Sequence, residues 1–503
     1  MSYKVSLTDL ERDGAVSVTQ QLVARFAAAI DGGELVPGEQ LPTTRRLAAL
    51  AQINHLTAAR AYRRLAETGY VTARVGAGTF VRAVPPAAPA ADDAAREDDF
   101  LASVLPVHAP SFGAQALLES FRLPDEPGVI SLATGWADPG LAPVDELAAL
   151  AAEVFAEAAP SALGYCPPEG VAQLRRELGT CGRAEGWASG PEEIVVTSGA
   201  TQALDLVLRA VLSPGDAVAV ESPSFIGTLD SLRDMGARLL PVPVDEGGLS
   251  VDAVERHLAR HEVRLVVLQP ACQNPTGRDL DPERRRRLLA LARERSFLIV
   301  EDWVYGNLRL DGTAPTHLRT DAPAHVILVD SVSKTVAGGL RVGWIAARPP
   351  ILQRVVARKL RTDIHTPGLT QQVVARWLAS GRHEAHLART LPVYRERRDA
   401  LLDALRRELG PEVRVTTPAG GHHVWVTLRR PVDERSFYAE ALREGVAFLP
   451  GSAALADPTV ASAFRLSFSL VAPDGLREGV RRLARALNRA RSRELGASGV
   501  LPS

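Results

Sequence analysis

Lysine is nearly absent. The chain carries 58 lysines and arginines together, yet only Lys4, Lys334 and Lys359 are lysine. Cysteine is just as scarce: Cys166, Cys181 and Cys272 are scattered, odd in number and lack metal-ligand spacing. That pattern argues against a disulfide framework or a metal site and favours reduced thiols. No apolar run approaches the ~20 residues that a membrane helix needs. The opening "MSYKVSLTDLERDG" is polar and slightly acidic, unlike a signal peptide. A net charge of -1 gives no global preference for a polyanion, although a local patch can hide within it. The expectation is a cytoplasmic chain with no metal and no membrane partner. With 503 residues, 46% hydrophobic and 23% charged, it should hold two or three globular domains.

The stretch "VRAVPPAAPAADDAAREDDF", from Val81 to Phe100, has paired prolines, many alanines and no periodic large apolar residues. It cannot bury much surface and reads as a flexible linker, placed over 85–110, between domains at 1–84 and 111–503. In the N-terminal piece, "SVTQQLVARFAAAIDGGEL" puts Leu22, Phe26 and Ile30 on one helical face and stops at Gly32-Gly33. "PTTRRLAALAQ" makes a second helix capped by Thr43 or Thr44, and Asn54 caps a third, "HLTAARAYRRLAETG". "YVTARVGAGTFVRA" reads as strand, glycine turn, strand. Three helices and a hairpin make a winged helix-turn-helix. From Leu41 to Arg82 there are seven arginines and one acid, Glu67. Such a cluster attracts phosphate backbones, and side chains opening a recognition helix reach base edges. A basic solvated face on a helical bundle is the plainer alternative; double-stranded promoter DNA is the expected partner.

The segment "GELVPGEQLPTTRRLAALAQINHLTAARAYRRLAETGYVTARVGAGTFV" resembles the GntR-type winged-helix family. Carried over by position, the resemblance implies DNA contacts from Thr43 and Arg45 on the second helix. It implies further contacts from His55, Thr57 and Arg60 on the recognition helix, and places Gly78 in the wing. The entrance Asn54-His55-Leu56 departs from the family's usual Ser-Arg-Asn, so the operator cannot be borrowed from relatives.

After the linker, "EEIVVTSGA", "AVAVESP", "VRLVVLQPA", "FLIVEDW" and "HVILVDSV" alternate with helix-like segments. That alternation implies an α/β fold with a mainly parallel sheet and ligands at the carboxyl ends of its strands. Polar motifs sit at those ends. In "VDSVSKTVAGGLRVGW", Lys334 lies among Ser331, Ser333 and Arg341, a phosphate cradle around the one cationic side chain type that can become a neutral amine and join an aldehyde. "TSGATQAL" opens a helix whose amides can hold a phosphate. Asn274 and Tyr305 can donate to a phenolate oxygen, Asp302 can pair with a protonated pyridine nitrogen, and Phe225 can stack on a ring. Singly, each has a plainer reading as a cap, turn, core aromatic or solvated lysine.

Their order and spacing resemble the fold-type I aminotransferases of class I/II, from about Val129 to Leu487. The resemblance implies a large α/β domain followed by a small C-terminal α+β domain, with pyridoxal 5'-phosphate as cofactor. It implies Lys334 as the catalytic Schiff-base lysine, Asp302 on the ring nitrogen, and Asn274 with Tyr305 on the phenolate. Phe225 is implied as the stacking aromatic, and Ala200, Thr201, Ser331, Ser333 and Arg341 as the phosphate cup. Arg465 is implied to grip a ligand's α-carboxylate, and Tyr165 to reach the cofactor of a second subunit in a homodimer. Two departures concern the ligand side: Trp136 and Ala142 replace the usual Pro and Phe, and His422-His423 stand where many relatives are apolar. A histidine there could meet a polar ligand or be a satisfied structural residue.

A GntR-type head on an aminotransferase-like body resembles the MocR/GabR family of bacterial transcription regulators. That implies a sensor of an amino-compound effector, or of the cofactor itself, which shifts DNA binding. A working aminotransferase carrying a DNA-binding head is the alternative.

Overall fold

The computed structural model describes residues 5, 7, 10, 17–74, 78–82, 112–123, 126–457 and 462–497. The linker read over 85–110 lies outside them. The chain divides into two compact units, Met1–Ala109 and Pro110–Ser503.

In the first unit, α1 (Val18–Asp31) starts at a capping box in which Ser17 and Gln20 satisfy each other's backbone amides. Leu22, Phe26 and Ile30 are buried on its inner face, and Phe26 meets Tyr62 edge to face at 5.9 Å. α2 (Thr44–Leu50) is capped by Thr43, which resolves the two threonines left open by the sequence. α3 (His55–Glu67) is capped by Asn54, whose Oδ1 accepts from the Leu56 amide at 2.9 Å. β1 (Val71–Arg74) and β2 (Gly78–Val81) pair antiparallel, with Val71 opposite Val81 and Arg74 opposite Gly78. The segment before α2 joins this hairpin, with Leu41 N donating to Thr79 O at 2.8 Å and Val81 N to Glu39 O at 2.9 Å. The wing is thereby tied to the helices that present the basic surface.

The second unit opens with α4 (Phe112–Ser120) and β3 (Ile130–Ser131). Its main sheet comprises β4 (Ile194–Thr197), β5 (Ala217–Ser222), β6 (Arg238–Asp245), β7 (Gly248–Leu249), β8 (Val263–Leu268), β9 (Leu298–Asp302), β10 (Val326–Ser331) and β11 (Gly343–Ala346). The order is β4-β11-β10-β9-β8-β5-β6-β7. β5, β6, β8, β9 and β10 run parallel, while β11 is antiparallel to both β10 and β4. Val218, Val220, Val266, Ile299, Val300, Ile327 and Leu328 are all fully buried, as strands covered on both faces require. A smaller antiparallel sheet has the order β12 (Val413–Val415), β13 (His423–Leu428), β16 (Ala463–Ser467), β15 (Leu449–Pro450), and β14 (Val446–Ala447) pairs with β3. Every apolar run read as a strand is one. The reading of "LRVGW" as a phosphate motif alone overlooked β11, which begins two residues after Arg341. Among the described residues, no helix is long and apolar enough to cross a membrane.

Candidate functional site

The fold brings Lys334, Asn274, Asp302, Tyr305, Phe225, Ala200, Thr201, Ser331, Ser333 and Arg341 to one cavity of about 120 Å³ at the carboxyl ends of β4, β9 and β10. It opens into a cleft of about 590 Å³ that shares Thr201, Phe225, Asn274, Tyr305, Ser333, Lys334 and Arg341 and adds His423 and Arg465. Tyr165 is not among the lining residues. It is 86% exposed, with its ring edge on His365 at 5.5 Å.

Lys334 Nζ donates to the Gly135 carbonyl at 2.8 Å. Burial, with the cations of Arg465 and Arg341, lowers its ammonium to about 8 against the opposing pull of Asp302. A neutral amine is therefore accessible near physiological pH. Lys359 differs: it is fully buried and spends its ammonium on Asp363 at 2.8 Å and Thr366 at 3.1 Å. It lies off the cavity, whereas Lys4 lies outside the described residues.

Asp302 ends β9. Burial raises its carboxyl to about 6, opposed by Gln269, whose Nε2 donates to Oδ2 at 2.6 Å. A buried acid with this tendency gains a partner if a ligand brings a protonated nitrogen. Gln269 also accepts from the Asn274 amide at 2.7 Å, so one side chain fixes the residues on two edges of the cavity. Behind it, Glu221 accepts from the Gln269 amide at 3.0 Å, and burial raises its carboxyl to about 8. Sequence reading missed Gln269 and Glu221. The available signal was a lone acid closing the run "AVAVES" and a glutamine, Gln269, directly before Pro270 at the end of the run "VRLVVL".

The end of the cavity that holds Ser333 and Arg341 is built on a turn. Gly199 adopts φ +88°, and a Cβ there would lie 2.5 Å from Arg341 Nη2, so only glycine allows this approach. Arg341 donates to Ser198 O at 2.9 Å and to Ser333 Oγ at 3.3 Å. The helix Ala200–Val211 aims its free N-terminal amides at the same place. On the opposite side, Arg465 in β16 is buried, donates to Asn274 Oδ1 at 3.1 Å and to Ala133 O, and leaves Nε without a partner. Among the described residues no carboxylate contacts it, and burial lowers even its guanidinium to about 10. His423 sets its Nε2 3.0 Å from the Tyr305 hydroxyl, with Nδ1 buried and unpartnered. Burial holds both histidines neutral, His422 at about 3.

On the first unit, Arg45, Asn54 and His55 line one shallow depression between α2 and the start of α3. Arg45, His55 and Arg60 are exposed and Thr57 half-exposed. The Thr43 hydroxyl accepts from the Arg46 amide at 3.3 Å and keeps its proton to donate. Gly78 opens β2 with φ +112°, where a Cβ would strike Gln40 Nε2 at 2.6 Å.

Residues 18–81 match the bacterial regulatory proteins of the gntR family, and residues 127–483 match the aminotransferases of class I and II. Along nearly the whole chain, 31% of residues are identical to the HTH-type transcriptional regulator TauR of Rhodobacter capsulatus, covering 97% of this chain and 100% of that one. This chain belongs to the MocR/GabR-type transcriptional regulators. The regulator's body alone is 39% identical to a 2-aminoadipate transaminase of Thermus thermophilus, over 74% of this chain and 94% of that enzyme. A solved structure of the α-aminoadipate aminotransferase LysN from that organism superimposes with TM-score 0.70 at 38% identity, covering 76% and 97% of the two chains. Pyridoxal 5'-phosphate is the cofactor of this aminotransferase class. The regulator's cavity fits it: an anion-binding turn at one end, a buried acid at another, and between them a lysine whose ammonium is destabilised.

Proposed function

We propose that the regulator acts as a cytoplasmic homodimer that binds promoter DNA through its winged helix and senses an amino acid through its aminotransferase-like body. The buried, carboxylate-free guanidinium of Arg465, in one cleft with Lys334, carries this reading. An unpaired buried cation is costly, and a ligand's α-carboxylate offsets that cost with charge-assisted bonds.

Bound pyridoxal 5'-phosphate supplies an aldehyde carbon on an electron-withdrawing ring. Lys334, whose ammonium is destabilised, would present a neutral amine to that carbon. Asp302, steadied by Gln269, would hold a proton on the ring nitrogen; Asn274 and Tyr305 would donate to the phenolate oxygen, and Phe225 would cover one ring face. Ala200, Thr201, Ser331, Ser333 and Arg341 bind the phosphate. Arg465 orients the ligand so that its amine competes with Lys334. Tyr165, projecting with exposed Leu163 beside it, serves the neighbouring subunit's site. On DNA, Arg45 and Thr43 take the phosphate and base contacts of α2, and His55, Thr57 and Arg60 address the groove.

A ligand changes DNA affinity only through differential affinity for the two states of the protein. Promoter binding measured by fluorescence anisotropy, with and without amino acids, tests the reading: some amino acid must shift the DNA dissociation constant. A working aminotransferase is the second reading, favoured by the full set of cofactor-facing residues. Multiple-turnover assays with amino donors and 2-oxo acids test it, and rapid turnover without any effect of amino compounds on DNA would decide for the enzyme.

A further inference from the structure

The outer part of the cleft has a composition that selects among amino acids. Its cations are Lys334, Arg341 and Arg465, all committed to the cofactor and the α-carboxylate in the reading above. Its acid, Asp138, is held by Arg397 at 2.7 Å. The walls beyond them are apolar: Leu117 from α4, Phe121 just after it, Trp136, Pro139, Ala142 and Ile226. The rings of Phe121 and Trp136 lie 5.2 Å apart, tilted by 55°, and remain 48% and 37% exposed. Large aromatic rings left open at the mouth of a ligand cleft gain from being covered by apolar ligand surface. Among the described residues lining this space, a second, distal carboxylate would find no further cation to receive it, and its desolvation would go unrepaid.

We propose that the cleft takes a monocarboxylic α-amino acid with a large apolar or aromatic side chain, and disfavours dicarboxylic amino acids. This rests on the sensor reading only for the placing of the α-carboxylate on Arg465. It departs from the substrate named for the Thermus thermophilus transaminase, whose second carboxylate has no counterpart cation among the described residues of this cleft.

The test is calorimetric titration of the holo-protein with L-phenylalanine, L-leucine, L-alanine, L-glutamate and L-2-aminoadipate. L-phenylalanine and L-leucine should bind about tenfold or more tightly than either dicarboxylate. Trp136→Ala should weaken L-phenylalanine by about tenfold and leave L-alanine within roughly twofold. Phe121→Ala, which alters only the rim, should act in the same direction, and cofactor absorbance reports whether each variant keeps its site. A dicarboxylate that binds most tightly, equal losses for all ligands in both variants, or no binding by any α-amino acid would overturn the inference. Promoter binding followed in the same titrations separates the two proposals. Preferential apolar binding without any effect on DNA upholds the ligand class and removes the sensor role. A DNA response to dicarboxylates alone does the reverse.

Discussion

Lys334 and Lys359 show how position decides what a rare residue does. Lys359 is fully buried and neutralised by Asp363, while the half-buried Lys334 faces two arginines and, among the described residues, donates to a carbonyl. Lys334→Ala should therefore abolish the borohydride-fixable link between protein and cofactor, and Lys359→Ala should leave that link in place, as peptide mapping after reduction would show. The lowered ammonium also sets a pH dependence. The neutral fraction of a group titrating at about 8 is about a tenth at pH 7 and half at pH 8, so reloading of apo-protein should accelerate about fivefold across that unit and then level off. A lysine at its ordinary value would instead gain about tenfold per unit up to pH 10. Stopped-flow absorbance distinguishes the two profiles. Gln269→Leu, which strips Asp302 of its 2.6 Å donor, should lower cofactor affinity about tenfold, measured by equilibrium dialysis.

At the scale of elements, the winged helix was legible because its signals are local. Caps, a four-residue apolar spacing and a glycine turn each lie within a few residues of what they control. Strands β4, β5, β8, β9 and β10 were legible for the same reason, as unbroken apolar runs. β11 was not: four residues sit directly after the Arg341 turn, and their antiparallel place between β4 and β10 depends on pairings from Ile194 to Thr197 and Leu328 to Ser331. Gln269 escaped because its partner Asp302 is 33 residues away; of the apolar wall, Trp136 and Ala142 were legible as departures on the ligand side, while Leu117, Phe121 and Ile226 escaped because they come from separate segments. The DNA-facing elements make their own prediction. Arg45 is exposed and beside His55, so Arg45→Ala should weaken binding to all sequences and reduce the salt slope by about one, while Thr57 or His55 substitutions should change base preference. Anisotropy titrations across a salt series, on promoter and unrelated DNA, check both outcomes.

For the whole molecule the question is whether ligand occupancy in one unit is read by the other, and Arg465 isolates that question. Its guanidinium donates to Asn274 and Ala133 and, among the described residues, to none of Ser331, Ser333 or Arg341, and it lies in β16 of the small antiparallel sheet. Arg465→Ala would remove a charge-assisted fork worth roughly 1.5–3 kcal/mol, about ten- to a hundredfold in effector affinity. The cofactor should still bind through Lys334 and Arg341, and the winged helix should still bind its promoter at wild-type affinity. What should change is the effector concentration needed to shift DNA binding, which should rise by that same factor while the size of the shift at saturation stays constant. A coupling free energy belongs to the two states of the protein and not to the ligand's grip on one of them. An unchanged effector response would move the carboxylate site away from Arg465. A lost maximal response at saturating effector would make Arg465 part of the switch itself.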